Sequence, residues 1–214
     1  MIKGVLFDMD GVLVDSELFI CKAAIQMFGE LGVNVAAEDF QPFVGMGENR
    51  YIGGVAALYG IDVDIDKVKA RTYRIYEEMV RGNLNALPGA IEFVLRCREK
   101  GFKLALATSA DRIKMEANLR EIGLSDNSFH FIVTGLDVLN KKPYPDIYLK
   151  ASEGIGIKPE CCLVVEDAVS GVQAGKTAGC RCLAVTTSFS AEALKDADWI
   201  CDSLLNVPEE VLNW

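Results

Sequence analysis

Short apolar runs alternate with helical patterns along most of the chain, and this alternation most restricts the possible fold. A run that is apolar throughout is typical of a strand buried on both faces of a sheet. Helical patterns that end at glycines separate the runs, so we predict an α/β fold with a parallel sheet flanked by helices. The runs cover residues 2–7, 102–107, 161–165 and 180–185, with weaker ones at 131–133 and 199–201.

One long segment after the first run departs from this rhythm. Residues 16–82 contain helical patterns at 18–31, 51–59 and 68–80 and no convincing strand. We therefore predict an inserted all-helical domain over residues 16–82. Residues 1–15 and 83–214 would together form the sheet domain.

Charge and cysteine content exclude several classes of function. Lys and Arg number 22 against 31 Asp and Glu, a net charge of −9, which argues against nucleic acid or an anionic membrane as a partner. No apolar run reaches the roughly 18–20 residues of a membrane span, and no signal peptide precedes the first run. Seven cysteines without a CxxC pair favour free thiols over a zinc site. We expect a soluble, cytoplasmic protein.

Polar side chains lie at or beyond the ends of the predicted strands. The carboxyl edge of a parallel sheet is where ligands bind in open α/β folds, so these side chains are candidates for a common site. They are Asp8, Asp10, Thr108, Ser109, Lys142, Glu166 and Asp167.

These residue types suit phosphoryl transfer. A carboxylate that attacks a dianionic phosphate is repelled by it, and a hard divalent cation such as Mg²⁺ with oxygen ligands reduces this repulsion. A lysine neutralises further charge, and a hydroxyl with backbone amides holds the transferring oxygens. A second carboxylic acid can protonate the leaving oxygen and later activate water.

The segment from Phe7 to Ser16, FDMDGVLVDS, resembles the first motif of the haloacid dehalogenase (HAD) superfamily, and is closest to its β-phosphoglucomutase-like branch. Thr108 resembles the second motif, Lys142 before a proline the third, and Glu166-Asp167 the fourth. The resemblance covers essentially the whole chain. It implies a Rossmann-like parallel sheet with a helical cap, inserted after strand 1, that closes over the substrate.

The resemblance also implies a role for each acidic residue. Asp8 would be the nucleophile that forms a phosphoaspartate, and Asp10 the general acid and base. Mg²⁺ would be bound by Asp8, by the backbone carbonyl of Asp10, by Asp167, and by Glu166 directly or through water. Because Asp10 is present, the resemblance implies phosphate chemistry rather than dehalogenation.

The remaining motif residues would hold the phosphate. Thr108 and the Ser109 amide would hold the transferring phosphoryl group, and Lys142 would bridge it to Asp8. The implied substrate is a small phosphorylated metabolite and the implied assembly is a monomer.

Two activities in this branch differ in how they treat a second phosphate. Residues that hold this phosphate in β-phosphoglucomutase align here with Ile20, Glu48, Thr72 and Asp111, and an aspartate in place of a lysine reverses the charge. We therefore favour a phosphatase acting on a phosphate monoester, with the phosphomutase as the alternative. A regulatory or binding module with little catalysis is a second alternative. Candidate contacts to the substrate are Arg50, Arg112 and Lys114.

Overall fold

A computed structural model describes residues 1–44 and 47–213 and contains a six-stranded sheet in which every neighbouring pair is parallel. All six apolar runs form strands, which confirms the predicted α/β fold. The strands are β1 (Gly4–Phe7), β2 (Lys103–Ala107), β3 (Phe131–Val133), β4 (Cys162–Glu166), β5 (Arg181–Val185) and β6 (Trp199–Cys201).

The strand order, β3-β2-β1-β4-β5-β6, places β1 at the centre of the sheet. Phe7, the last residue of β1, is opposite Leu106 of β2 and Val165 of β4. The carboxyl ends of β1, β2 and β4 therefore lie side by side at one edge of the sheet. The strand order reverses beside β1, so this edge has the crevice in which α/β proteins bind ligands.

Seven α-helices, all at positions where the sequence pattern indicates one, lie in the described part of the chain. The bounds differ by a few residues, as at Ile65, where the side chain of Asp64 accepts a hydrogen bond from the Lys67 amide and caps the helix. The helices are α1 (Glu17–Glu30), α2 (Glu48–Leu58), α3 (Ile65–Val80), α4 (Ala90–Glu99), α5 (Arg112–Glu121), α6 (Asp146–Gly154) and α7 (Val169–Thr177).

Side chains of β1 alternate between two cores on the two faces of the sheet. Val5 and Phe7 pack into the larger core, and Leu6 packs into the smaller one. The ring of Phe7 meets the ring of Phe93 edge-on at 6.0 Å between centroids. Full burial of a side chain of this size contributes about 1.5–3 kcal/mol. The end of β1 is thus fixed in the centre of the molecule.

Helices α1, α2 and α3 follow β1 and precede β2. Where the chain leaves and re-enters the sheet region, Val14 pairs with Ala86 and the Leu87 amide donates to the Leu13 carbonyl at 2.9 Å. The division into 1–15 with 83–214 and 16–82 remains a prediction.

Within residues 1–44 and 47–213, no helix combines the length and apolarity needed to cross a membrane. All seven cysteines are free, and five of them are buried.

Candidate active site

Lys142 joins two carboxylates that leave adjacent strands. Its Nζ lies 2.6 Å from Asp8 Oδ1 and 2.6 Å from Glu166 Oε1. Asp8 follows β1, Glu166 ends β4, and Lys142 lies in the loop between β3 and α6. All three are buried. The edge of the sheet thus brings together residues that are far apart in the chain.

Glu166 is fixed by four donors. Its Oε1 accepts from Lys142 and from the Tyr148 hydroxyl at 2.8 Å, and its Oε2 accepts from the amides of Asp167 and Ala168 at 2.9 and 3.0 Å. Burial opposes ionisation, but Lys142 and these hydrogen bonds keep the pKa of Glu166 below its usual value. A side chain at Gly171 would overlap this carboxylate.

Asp167 lies beside Asp8 and Glu166 and completes a group of three buried acidic residues. One oxygen from each lies within 4.8 Å of the others. Gly11 allows this approach, since it has a φ of 75° and a Cβ there would overlap the Asp167 carboxylate. Three oxygen ligands at this spacing could hold a divalent cation.

The three carboxylates carry more negative charge than Lys142 neutralises. Burial raises the pKa of Asp8 to about 7 even though Lys142 opposes the shift, and Glu166 and Asp10 raise it further. Burial, together with Glu166 and Asp8, also raises the pKa of Asp167 well above its usual value. Asp8 and Asp167 are therefore protonated more readily than ordinary carboxyl groups, and a cation bound beside them would offset the same repulsion.

Asp10 accepts hydrogen bonds from three side chains, Ser16 of the first motif and Lys114 and Asn118 of α5. Its Oδ2 accepts from Lys114 Nζ at 2.9 Å, and its Oδ1 accepts from the Ser16 hydroxyl and from Asn118 Nδ2 at 3.4 Å. Lys114 and Asn118 lie on α5, one turn apart, so both can reach the same carboxylate. The side chain of Asp10 keeps 29% of its surface exposed.

Lys114 also meets the inserted helices. Its Nζ lies 3.5 Å from Glu48 Oε1, at the start of α2, and its side chain is only 4% exposed. Burial opposes protonation, yet Asp10 and Glu48 raise the pKa of Lys114 above its usual value. Burial raises the pKa of Glu48, and its Oε2 has no hydrogen-bond partner. A second ion pair between the same regions joins Lys69 of α3 to Asp111 at 2.8 Å.

Thr108 and Ser109 follow β2 at the same edge. The Thr108 amide donates to the Val133 carbonyl at 3.0 Å, and its hydroxyl accepts from the Ala110 amide at 3.1 Å. Thr108 is buried, whereas Ser109 is partly exposed and lines the cleft described next.

A cleft of about 940 Å³, counting its open mouth, extends from the sheet edge to α1 and α2. The acidic group and Lys142 line one side of it. Ile20, Phe43 and Tyr51 line the opposite side, together with Glu17, which accepts a hydrogen bond from the Tyr51 hydroxyl at 2.9 Å. Burial raises the pKa of Glu17.

The structure does not bring Arg50 or Arg112 into this cleft. Both are exposed, and Arg112 pairs with Glu116 at 3.4 Å and Asp126 at 3.5 Å. Arg50 lies two residues after Glu48, and Arg112 two residues before Lys114. Glu48 and Lys114 do face the cleft. Two residues on a helix are separated by about 200° around its axis, so each arginine points away from the cleft. Their role as substrate contacts has no support from the described residues.

Sequence reasoning missed several residues that hold the site. Lys114 is named from the sequence only as a candidate contact to the substrate; it does line the cleft, but its contacts to Asp10 and Glu48 had no sequence signal. Tyr148 and Asn118 gave no signal in the sequence, because each reads as part of a helix. Ser16 lies within the first motif, and its spacing from Asp10 is the one clue that could have been used.

Comparison with known proteins assigns the family. Residues 5–185 match the family model of the haloacid dehalogenase-like hydrolases. The chain belongs to this family. This HAD-like hydrolase is also 32% identical to a phosphorylated carbohydrates phosphatase of Thermotoga maritima, over 99% of the chain and 97% of the relative. The family and the named phosphatases among its relatives support the predicted class, a phosphoric monoester hydrolase.

Two further relatives show similarity to this HAD-like hydrolase. Suppressor of quenching 1, a chloroplastic protein of Arabidopsis thaliana, is 45% identical over 92% of the chain, but the match spans only 19% of that protein. The structure of a CbbY mutant from Rhodobacter sphaeroides in complex with xylulose-1,5-bisphosphate has a TM-score of 0.89, at 26% identity and 96% coverage of both chains. These matches confirm the predicted superfamily and fold.

Proposed function

We propose that this protein is a Mg²⁺-dependent phosphatase that hydrolyses a small phosphorylated sugar through a phosphoaspartate at Asp8. The observation that carries the proposal is the buried junction of Asp8, Lys142, Glu166 and Asp167 at the carboxyl edge of the sheet. Family membership supports the same chemistry. The relative named for phosphorylated carbohydrates supports the substrate class.

Asp8 carries the first half-reaction. One of its carboxylate oxygens attacks phosphorus, and the bond between phosphorus and the leaving oxygen breaks. Asp10 donates a proton to that oxygen, so the sugar leaves as a neutral alcohol. Lys142, bound to Asp8, offsets part of the charge that builds up around the phosphorus.

Asp10 acts again in the second half-reaction. It accepts a proton from a water molecule, whose oxygen attacks the phosphorus of the phosphoaspartate. The bond between phosphorus and Asp8 breaks, which releases inorganic phosphate and regenerates the carboxylate. Thr108 and the Ser109 amide would orient the phosphoryl oxygens in both steps.

The donor set fits Mg²⁺. Asp8 and Asp167 would bind it through carboxylate oxygens, and Asp10 through its backbone carbonyl. Glu166 already accepts four hydrogen bonds, about the number that a carboxylate can accept, so it would give one up or act through water. When bound, Mg²⁺ supplies positive charge that lets an anionic nucleophile approach an anionic phosphate.

The ion pair between Asp111 and Lys69 favours the phosphatase over the phosphomutase. A mutase must hold a second phosphate after the first has been transferred. Asp111 stands at a position aligned with a phosphate-binding lysine, and Lys69 of the inserted helices neutralises it at 2.8 Å. Neither side chain is then available to a second phosphate.

The test measures phosphate release from a panel of sugar phosphates and p-nitrophenyl phosphate, with Mg²⁺ and with EDTA. We expect release that requires Mg²⁺ and is lost in Asp8→Asn. Conversion of β-glucose 1-phosphate to glucose 6-phosphate without phosphate release, in the presence of the bisphosphate, would instead support the mutase. The absence of both phosphate release and isomerisation with every compound would support a regulatory or binding module with little catalysis.

A further inference from the structure

The cleft contains little free positive charge. Beyond the four acidic residues at the sheet edge, it is lined by Asp15, Glu17 and Glu48. Among the described lining residues, the only cations are Lys114 and Lys142. Gly45 and Met46, which lie outside the described residues, carry no charge.

Neither lysine is free to bind a second phosphate. Lys142 lies 2.6 Å from both Asp8 and Glu166. Lys114 lies 2.9 Å from Asp10 and 3.5 Å from Glu48. If Lys114 turned to a phosphate, the buried carboxylate of Glu48 would lose the one cation that the described residues place beside it, and leaving a buried charge unpaired is costly.

We infer that Glu48 makes the cleft selective for substrates with a single phosphate and an uncharged or positively charged leaving group. This inference rests on the proposed function. The transferring phosphate would be received at the sheet edge, with Mg²⁺ and Lys142. A second phosphate on the leaving group would face Glu48 and Glu17, and both described cations of the cleft, Lys114 and Lys142, are already shared between carboxylates. This would distinguish the protein from CbbY, whose structure contains a bisphosphate.

The experiment compares matched pairs, each a sugar monophosphate and the bisphosphate of the same sugar. Glucose 6-phosphate with glucose 1,6-bisphosphate is one pair, and fructose 6-phosphate with fructose 1,6-bisphosphate another. We expect kcat/KM in Mg²⁺ to be lower by at least about tenfold for each bisphosphate, since like charges brought together on binding are strongly disfavoured. Dividing kcat/KM for the bisphosphate by kcat/KM for its monophosphate removes any effect that acts equally on phosphoryl transfer from both substrates.

Glu48→Gln is the decisive variant. It removes the negative charge, keeps the shape and releases Lys114 from one partner. We expect the bisphosphate-to-monophosphate ratio to rise by about tenfold, because one unit of charge close to the second phosphate has changed. Glu38→Gln, an exposed site on the inserted segment, is the matched control and should leave the ratio unchanged.

Binding to the Asp8→Asn protein, measured by calorimetry in Mg²⁺, separates this inference from the proposed function. No phosphate release from any compound would contradict the proposed function, while the binding comparison would still decide the inference. A bisphosphate that binds or reacts as well as its monophosphate would overturn the inference. A bisphosphate-to-monophosphate ratio that is the same in Glu48→Gln as in the original protein would also overturn the inference.

Discussion

Replacement of Lys114 by methionine should damage both stability and chemistry. Lys114 is buried and is shared by Asp10 and Glu48, with Nζ at 2.9 and 3.5 Å. Methionine keeps most of the apolar stem and removes the charge. Breaking a buried ion pair typically costs about 3–5 kcal/mol, because a carboxylate is left buried without its cation. Since the Asp10 side chain keeps 29% exposure, we expect the lower end, about 3 kcal/mol.

In a thermal melt this loss corresponds to a drop in Tm of about 6–12 °C, at roughly 2–4 °C per kcal/mol for a chain of this size. Lys67→Met is the matched control. Lys67 pairs with Asp64 on the surface, and its side chain is 84% exposed. Exposed pairs contribute about 0–1 kcal/mol, so its Tm should fall by less than about 4 °C.

The chemical consequence depends on the leaving group. If Lys114 positions Asp10, its loss should slow substrates whose leaving oxygen needs a proton. General acid catalysis contributes about 10²–10⁴-fold, and Ser16 and Asn118 still hold Asp10, so we expect kcat/KM for a sugar phosphate to fall about a hundredfold. For p-nitrophenyl phosphate, whose leaving group needs little protonation, the fall should be below about threefold.

A purely structural role for Lys114 would lower kcat/KM equally for both substrates. That outcome, or a Tm within about 2 °C of the original protein, would refute the reasoning that connects Lys114 to Asp10.

Three further predictions concern the acidic group. Asp8→Asn should abolish turnover while the fold is retained, as seen by phosphate release and circular dichroism; turnover above a few percent would exclude Asp8 as the nucleophile. Gly11→Ala should weaken Mg²⁺ binding, measured by calorimetry, by at least about tenfold. Gly11 has a φ of 75°, and a Cβ there would overlap the Asp167 carboxylate. Unchanged affinity would contradict this placement of Asp167. Burial raises the pKa of Asp8 to about 7, so protonation of Asp8 stabilises the metal-free protein at low pH, and this stabilisation should be lost as pH rises from about 4 through 7. Mg²⁺ competes with that proton, so it should bind more tightly and displace fewer protons as pH rises from about 6 to 8. The same pH series on Asp8→Asn is the control, and an identical slope in both proteins would exclude Asp8 as the source.

The strands and the order of the motifs were predictable from the sequence because both depend on local patterns. Phe7 ends an apolar run, and Asp8 follows it at the edge of the sheet. The partners of Asp10 were not predictable, because Lys114 lies 104 residues away and its direction depends on how α5 packs. Arg112 and Lys114 differ by only two residues, yet one faces solvent and the other faces Asp10. Helix periodicity predicts that Arg112 and Lys114 lie on different faces of α5, but the packing of α5 against the rest of the protein decides which of them is buried.

The charge pattern of the site makes substrate and metal binding depend on each other. Lys142 is shared by Asp8 and Glu166, and Lys114 by Asp10 and Glu48, so neither lysine carries unpaired charge. A dianionic phosphate that enters without Mg²⁺ would meet carboxylates whose charge is already only partly compensated. Each ligand therefore lowers the cost of binding the other, and this coupling must be reciprocal. We expect inorganic phosphate to raise the affinity of the Asp8→Asn protein for Mg²⁺ by the same factor by which Mg²⁺ raises the affinity for phosphate. Calorimetric titrations in both orders would measure the two factors, and phosphate affinity that is independent of Mg²⁺ would show that the lysines alone neutralise the site.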